Sequence, residues 1–550
     1  MTKMDKTQNG MTRRSFIGHM AVATGVITTA AGTLGASLNP AHAQDGTFDY
    51  VIVGAGSAGC VLANRLTEEG KTVLLLEAGG PDDTDMIWTP MRVIELWNSP
   101  YDWAYWTVPQ AHAQDRELFW PRGKTLGGSS SLNGMIYVRG SATDYDGWAA
   151  QGNAGWSWDE VLPYFLKSED YSGDPSPMHA KGGLLHVTAE IQPHEINKAM
   201  VEAAVQAGHA YNPDCNSGDQ MGVGFCDLNT RDGKRQSTAV AFLQPALERP
   251  NLTLMTNARV HRVEIEDGRA TGVTYMQAGE MHTVSAASEV IVCGGAIESP
   301  RILMLSGVGP VDHLGEMGIE VKHALPGVGQ NLHDHTLLPV TWEAEGQVPP
   351  PPHMGMTPLH THLFAKSSPD LPEPDMQPLG LFGPYYAPEQ DASVANAFTF
   401  NAGGVKPTSR GEVRLSSADP EDRVLLDPNV LATQYDVDTL VACVKMIREI
   451  AKQPALSKWI KREIYPGPEA QSDAELADYA RSAVMSYHHQ CGTCKMGSDD
   501  MAVVDAELKV HGVAGLRVVD ASIMPFVTTG NTNAPVIMIA EKAADMIKGA

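Results

Sequence analysis

Three glycines and an acid offer the first recognisable chemistry in this sequence. Phe48-Asp49-Tyr50-Val51-Ile52-Val53 is an apolar run of strand length, followed at once by Gly54-Ala55-Gly56-Ser57-Ala58-Gly59. Ala58, Leu62 and Leu66 then recur at helical spacing. A second apolar run, Val73-Leu74-Leu75-Leu76, ends in Glu77. Strand, glycine turn, helix, strand and acid, in that order, suit a dinucleotide. Gly54 permits a tight turn, Gly56 lets backbone approach a pyrophosphate, and Gly59 lets helix and strand pack closely. Ser57 and Ala58 open the helix, whose free N–H groups and dipole favour phosphate. Glu77 stands where a carboxylate can accept hydrogen bonds from a ribose.

A second small-residue segment, Arg122-Gly123-Lys124-Thr125-Leu126-Gly127-Gly128-Ser129-Ser130-Ser131-Leu132-Asn133-Gly134, predicts backbone in close contact with something flat or phosphorylated. The remaining elements must position these groups. Residues 47–140 alternate as α/β, with Trp- and Pro-rich loops over 85–122. Residues 141–165 read as helix and 170–235 as loop-rich. Asn251–Met255, Arg259–Glu264 and Gly272–Met276 alternate as antiparallel strands would. Glu289–Cys293 reads as a buried strand, with a helix starting near Ser299-Pro300 and covering Arg301–Leu305. Pro326–Leu332 is a tight loop, and Val348–Pro352 a stiff spacer or lid. Further on, Gly411–Leu415 reads as a strand, and Tyr435–Ile450, Asp473–Ser482 and Ala534–Ile547 as amphipathic helices.

The bulk numbers narrow the class. A chain of 550 residues has room for two or three domains. Forty basic against 65 acidic residues give a net charge of -25, which argues against nucleic acid and anionic lipid as partners. Thr12-Arg13-Arg14-Ser15-Phe16-Ile17, a weakly apolar stretch and Ala41-His42-Ala43 have the pattern of a twin-arginine export signal with its cleavage site. A mature enzyme starting near Gln44, periplasmic or secreted and without an integral membrane segment, is the expectation. Seven cysteines make no disulfide framework, although Cys215 and Cys226 could pair in an oxidising compartment. Cys491-Gly492-Thr493-Cys494 has C-x-x-C spacing but lacks a second pair or a thioredoxin-type unit, so it reads as structural and no metal site is expected.

Over nearly all of residues 47–547 the chain resembles the glucose–methanol–choline (GMC) oxidoreductases, which are FAD-dependent. Four segments in order carry the likeness: Gly54–Gly59 with Glu77; Gly123–Asn133 with Gly140 and Asp146; Gly295–Gly309; and His489-Gln490-Cys491-Gly492-Thr493 with Asn531-Thr532-Asn533-Ala534-Pro535. The resemblance implies a fold of class α/β: a discontinuous Rossmann-like FAD-binding domain plus an α+β substrate-binding domain with a mainly antiparallel sheet. Residues 1–43 would be the signal, 47–342 the FAD domain with cover segments inserted over about 141–235, 343–485 the substrate domain, and 486–550 the part completing the FAD domain and active site.

The resemblance also implies roles. Gly54, Gly56 and Gly59 would hold the pyrophosphate and Glu77 the adenosine ribose. The segment containing Gly127, Gly128, Ser129 and Asn133 would wrap the isoalloxazine, and Val260 would meet the adenine through its backbone. Asp520 and Ala521 would lie near the pyrophosphate and ribityl chain, and Asn533 at the pyrimidine end. His489 takes the place of the catalytic base and Asn531 that of its partner, with neighbouring His488 as the competing base. Leu132 stands where some relatives carry a histidine bonded to flavin, so the FAD is expected to be non-covalent. The implied reaction is oxidation of a primary or secondary alcohol to the carbonyl. The hydroxyl proton goes to His489 and hydride to flavin N5. The electron acceptor would be a quinone or cytochrome, or else oxygen with release of peroxide. Relatives that are hydroxynitrile lyases, and a non-catalytic flavoprotein, stand as the alternatives from other classes. Trp97, Trp103, Met354, Met356 and Met376 suggest an apolar pocket. No aromatic and acidic cage for choline is evident.

Overall fold

The computed structural model describes residues 46–189 and 191–549, so the export signal and its cleavage site lie outside the described residues. Strand Thr47–Val53 sits at the centre of a seven-stranded mixed sheet. It pairs in parallel with Val73–Leu76 on one side and Glu280–Val292 on the other, with Val53 opposite both Leu76 and Val292. The carboxyl ends of three strands therefore finish level, where open α/β sheets bind their ligands. Val51, Ile52 and Val73 to Leu75 are fully buried, as expected of parallel strands covered on both faces. Leu516–Val518 adds a further parallel strand beside Glu280–Val292, which brings the C-terminal chain into the N-terminal sheet.

Three elements differ from the sequence reading. Leu252–Met255 pairs in parallel with Val73–Leu76 rather than antiparallel; the antiparallel pairs are Ala258–Glu266, Arg269–Gln277 and the first half of Glu280–Val292. Residues 141–165 are not one helix but two, Ala142–Ala150 and Trp158–Ser168, each opened by a serine capping box. The loop-rich stretch holds a helix, Glu195–Gln206. All seven cysteines are free thiols and buried, so Cys215 and Cys226 do not pair.

Helix Ser57–Thr67 packs against the C-terminal helix Asn533–Lys548. Arg65 reaches across to Glu541, with Nη2 2.7 Å from Oε1, and Glu541 is fully buried. That pair locks the two helices whose first turns both open on the site.

The second sheet has eight strands and is antiparallel throughout. Its order is Ile460–Tyr465, Thr341–Ala344, Ala397–Gly404, Leu379–Leu381, Leu359–Phe364, Gly222–Phe225, with Thr336–Leu338 joining Ala397–Gly404 and Met485–Ser486. Helices Gln434–Ala451 and Glu195–Gln206 back it. Among the described residues no helix is long and apolar enough to cross a membrane.

Candidate active site

A cavity runs from the carboxyl ends of the first sheet to one face of the second. Of the sixteen site residues read from the sequence, all but Gly59 and Gly127 line it: Gly54, Gly56, Ser57, Ala58, Glu77, Gly128, Ser129, Asn133, Val260, Asp520, Ala521, Asn533, His489 and Asn531. Gly59 and Gly127 stand behind the wall. A Cβ on Gly59 would lie 1.9 Å from the Gly54 carbonyl oxygen, and one on Gly127 would lie 2.3 Å from Ser131 Oγ.

One end is built for a dinucleotide. Gly54 turns the chain with φ +101°, and its N–H donates to the Leu76 carbonyl. Gly56 precedes helix Ser57–Thr67 with no side chain capping the first turn, which leaves N–H groups for phosphate. Gly128 closes over Gly56 so tightly that a Cβ there would come within 2.7 Å of Gly56 Cα. Ser57 Oγ donates to Asn533 Oδ1 at 2.8 Å, joining the two helix starts. Helix Asn533–Lys548 also opens without a side-chain cap.

Glu77 accepts from the N–H groups of Ala55 and Gly79 at 2.9 and 2.8 Å. Burial pushes its carboxyl up to about 7 despite these bonds. A carboxylate so held keeps lone pairs for ribose hydroxyls. Asp520 accepts from Gly295 N–H, Ser299 Oγ and Ser522 N–H, and burial raises its carboxyl above the usual range.

These contacts also explain why helix Gly295–Leu305 starts earlier than its sequence suggests. Pro300 lies inside it, where its ring leaves the Ala296 carbonyl without an intrahelical donor. Thr493 Oγ1 donates to that carbonyl at 2.6 Å. The substitute donor comes from a loop far along the chain, and it ties that loop to the cofactor end.

The other end is a histidine relay. His489 Nε2 lies 3.1 Å from Asn531 Nδ2, and Asn531 Oδ1 accepts from Gln377 Nε2 at 3.2 Å. That second bond orients the amide, so its nitrogen donates to His489. His489 Nδ1 then carries the proton and donates to His335 Nδ1, 2.9 Å away. The outer nitrogen of His335 is buried without a hydrogen-bond partner. Burial lowers both histidines far below the usual imidazole range, His335 to about 3. The neighbouring His335 and His488 rings and the Arg122 charge disfavour a second proton on His489 further. The ring is thus neutral, with its Nε2 lone pair turned to Asn531 and the cavity.

Asp334 fixes the loop. It accepts from the His489 N–H at 2.7 Å, from Gln490 Nε2 at 3.0 Å and from Ser486 Oγ, and burial pushes it up to about 6. His488 is held at φ +68°, an uncommon conformation for a residue with a Cβ. Arg122 Nη2 donates to its carbonyl at 2.7 Å. The His488 ring meets Trp97 edge-on at 5.1 Å, and neither of its nitrogens has a hydrogen-bond partner.

Asp334, His335, Gln377 and Arg122 are absent from the site predicted by sequence. A signal existed for two of them, since His333-Asp334-His335 follows directly on the Pro326–Leu332 loop. The apolar cover is only partly as expected. Trp97 and Trp103 line the cavity, Trp103 beside Arg259 and Lys124 at the dinucleotide end; Met356 and Met376 are core, and Met354 is exposed.

A family model described as GMC oxidoreductase matches residues 48–337, and a second of the same description matches residues 407–540. Mitochondrial choline dehydrogenase of Mus musculus is 43% identical, covering 91% of this chain and 89% of its own length. The alcohol dehydrogenase [acceptor] of Pseudomonas putida is 41% identical, with 91% and 95% covered. Among solved structures, pyridoxine 4-oxidase from Mesorbium loti superposes with a TM-score of 0.87 at 36% identity, covering 92% of this chain and 99% of that one.

Proposed function

Because the chain belongs to the GMC oxidoreductases, FAD-dependent enzymes that act on alcohols, we propose that it oxidises an uncharged primary or secondary alcohol to the carbonyl with His489 as base. The observation that carries this reading is a neutral, tautomer-fixed imidazole beside an amide, at the opposite end of the cavity from a dinucleotide cradle.

FAD, when bound, supplies the hydride acceptor. Gly54, Gly56, Ser57 and Glu77 would hold its adenosine and pyrophosphate, and Gly128, Ser129, Asn133 and Asn533 its ring end. The protein's own work is positional. The substrate hydroxyl takes the place of Asn531 Nδ2 at the His489 lone pair and gives up its proton there. Asn531 Nδ2 then donates to the alkoxide, which it stabilises without competing for the proton. His335 holds the second ring nitrogen, so His489 cannot turn its lone pair away.

Leu132 is buried, packed with Ile87 and Leu96, and lines the cavity. A leucine offers no nucleophile to flavin, so the FAD is non-covalent in this reading. Acid precipitation is expected to release the yellow colour into the supernatant. A yellow pellet would oppose it.

Choline is not carried over from the choline dehydrogenases. Among the described residues three carboxylates line the cavity, and each is engaged at the cofactor end: Glu77 by Ala55 and Gly79, Glu298 by Arg301 and Tyr105, and Asp520 by Gly295, Ser299 and Ser522. Tyr487, in ring contact with His489, lines the cavity together with Leu337, Leu359, Leu379, Leu381 and Tyr385, none of them charged. A quaternary nitrogen would find no counter-ion there. Anaerobic mixing tests the reading directly. 3,3-Dimethylbutan-1-ol, the uncharged isostere of choline, is expected to bleach the bound flavin, and choline to do so far more slowly. Bleaching by no alcohol would sink the oxidoreductase reading and leave a lyase; faster bleaching by choline would sink the uncharged substrate.

For the electron acceptor the reading is a quinone or cytochrome in the periplasm. It is supported by the export motif at residues 1–43 and by likeness to a relative named for a separate acceptor. Oxygen is the second reading, favoured by likeness to a structure named as an oxidase.

A further inference from the structure

The leucine wall of the cavity carries two polar side chains, Tyr385 and Asn401. Asn401 lies on strand Ala397–Gly404, lines the cavity and is 1% exposed. Its Oδ1 is buried without a hydrogen-bond partner. Leaving such a group unpaired costs roughly 1–3 kcal/mol, so an amide on the cavity wall with an unpaired oxygen points to a ligand.

The sheet register says where that ligand must reach. Asn401 stands opposite Leu379, whose strand neighbour Leu381 also lines the cavity. Two residues before Leu379 on the same face is Gln377, the residue that orients Asn531. On the paired strand, Gly403 accepts the Gln377 N–H and stands opposite Leu337. Asn401 is therefore one two-residue strand repeat, roughly 7 Å, beyond the row that holds Asn531. The leucines flank the path between.

We propose that Asn401 is a specificity-determining residue, and that the substrate is an apolar alcohol carrying a second uncharged hydroxyl at its far end. An amide donates and accepts, and so does a hydroxyl, so one such group satisfies Asn401 from either side. A separation of roughly 7 Å suits α,ω-diols of about four or five carbons, reacting at one hydroxyl and anchored by the other. The proposal rests on the alcohol-oxidising reading of the same cavity and adds to it the class of substrate.

The test is a chain-length series of α,ω-diols and the matching primary monoalcohols, with an artificial dye as acceptor. In the wild-type enzyme at least one diol is expected to exceed its monoalcohol in kcat/KM by more than the factor of two due to its paired hydroxyls. In Asn401→Leu that diol-to-monoalcohol ratio is expected to fall roughly 10-fold. The ratio is internal to each preparation, so partial loss of folded enzyme does not move it. If Asn401→Leu fails to take up FAD, the wild-type series alone decides. No diol better than its monoalcohol overturns the proposal, as does a ratio unchanged in Asn401→Leu. If monoalcohols are oxidised and diols have no advantage, the diol proposal falls and the alcohol-oxidising reading stands. If no alcohol is oxidised, the reading beneath it falls as well.

Discussion

Replacing His489 with alanine is expected to lower turnover by about 10²-fold or more while the protein stays yellow. The two halves of that outcome come from different parts of the structure. Colour depends on the cradle of Gly54, Gly56, Glu77 and Gly128, which His489 does not touch through any hydrogen bond. In the proposed mechanism turnover depends on a lone pair at one atom, Nε2, presented to the cavity because Nδ1 is committed to His335. His488 is the control. It is adjacent in sequence and its ring nitrogens are buried, but they have no partner to fix a tautomer and its ring packs on Trp97. His488→Ala is expected to cost far less. Measured kcat and the flavin absorbance of both variants decide the matter. A mild His489→Ala with a crippled His488→Ala would exchange the two roles.

The parts of this site that were legible in the sequence are those whose geometry is local. Gly54 to Gly59 must turn, approach and pack within one strand–helix unit, and Glu77 ends the next strand of the same unit. What was not legible depends on contacts made across the fold. Leu252–Met255 has the alternation of any short strand, and only its placement beside Val73–Leu76 makes it parallel. Helix Glu195–Gln206 buries Ile196, Met200, Ala203 and Ala204, a stripe that is strongly apolar only in its first turns and is flanked by polar residues. Its cap is His194, whose Nδ1 accepts from the Ile196 N–H in place of a Ser, Thr, Asp or Asn. The start of helix Gly295–Leu305 is set by Asp520 and Thr493, which no local window contains. The same holds for the relay. Gln377 matters only because a sheet carries it to Asn531, and His335 only because its loop pairs through His333 with Cys491.

Gly59→Ala is expected to give a protein that holds no FAD, even though Gly59 does not line the cavity. The added methyl group would sit 1.9 Å from the Gly54 carbonyl oxygen and 3.5 Å from Ile52 Cγ2. The closest contact cannot swing aside, since the Gly54 carbonyl belongs to backbone fixed by the strand and its turn. Gly54 already spends its freedom on φ +101°, with its own missing Cβ facing the Cys293 carbonyl at 2.6 Å. Relief therefore requires helix Ser57–Thr67 to lift from the sheet. Its first N–H groups would then leave the phosphate position, and its contacts with Asn533–Lys548 would loosen. Overpacking of this kind costs roughly 1–3 kcal/mol where side chains can adjust, and more where only backbone can. Gly315→Ala supplies the comparison: it lies in helix Val311–Glu316 and its added Cβ meets nothing within 4 Å. There the change is expected to be neutral or to stabilise by up to about 1 kcal/mol through helix propensity. Flavin-to-protein absorbance ratio and melting temperature, measured on both variants, separate the two cases. A yellow Gly59→Ala protein melting like the parent would mean that the helix start is not what seats the dinucleotide.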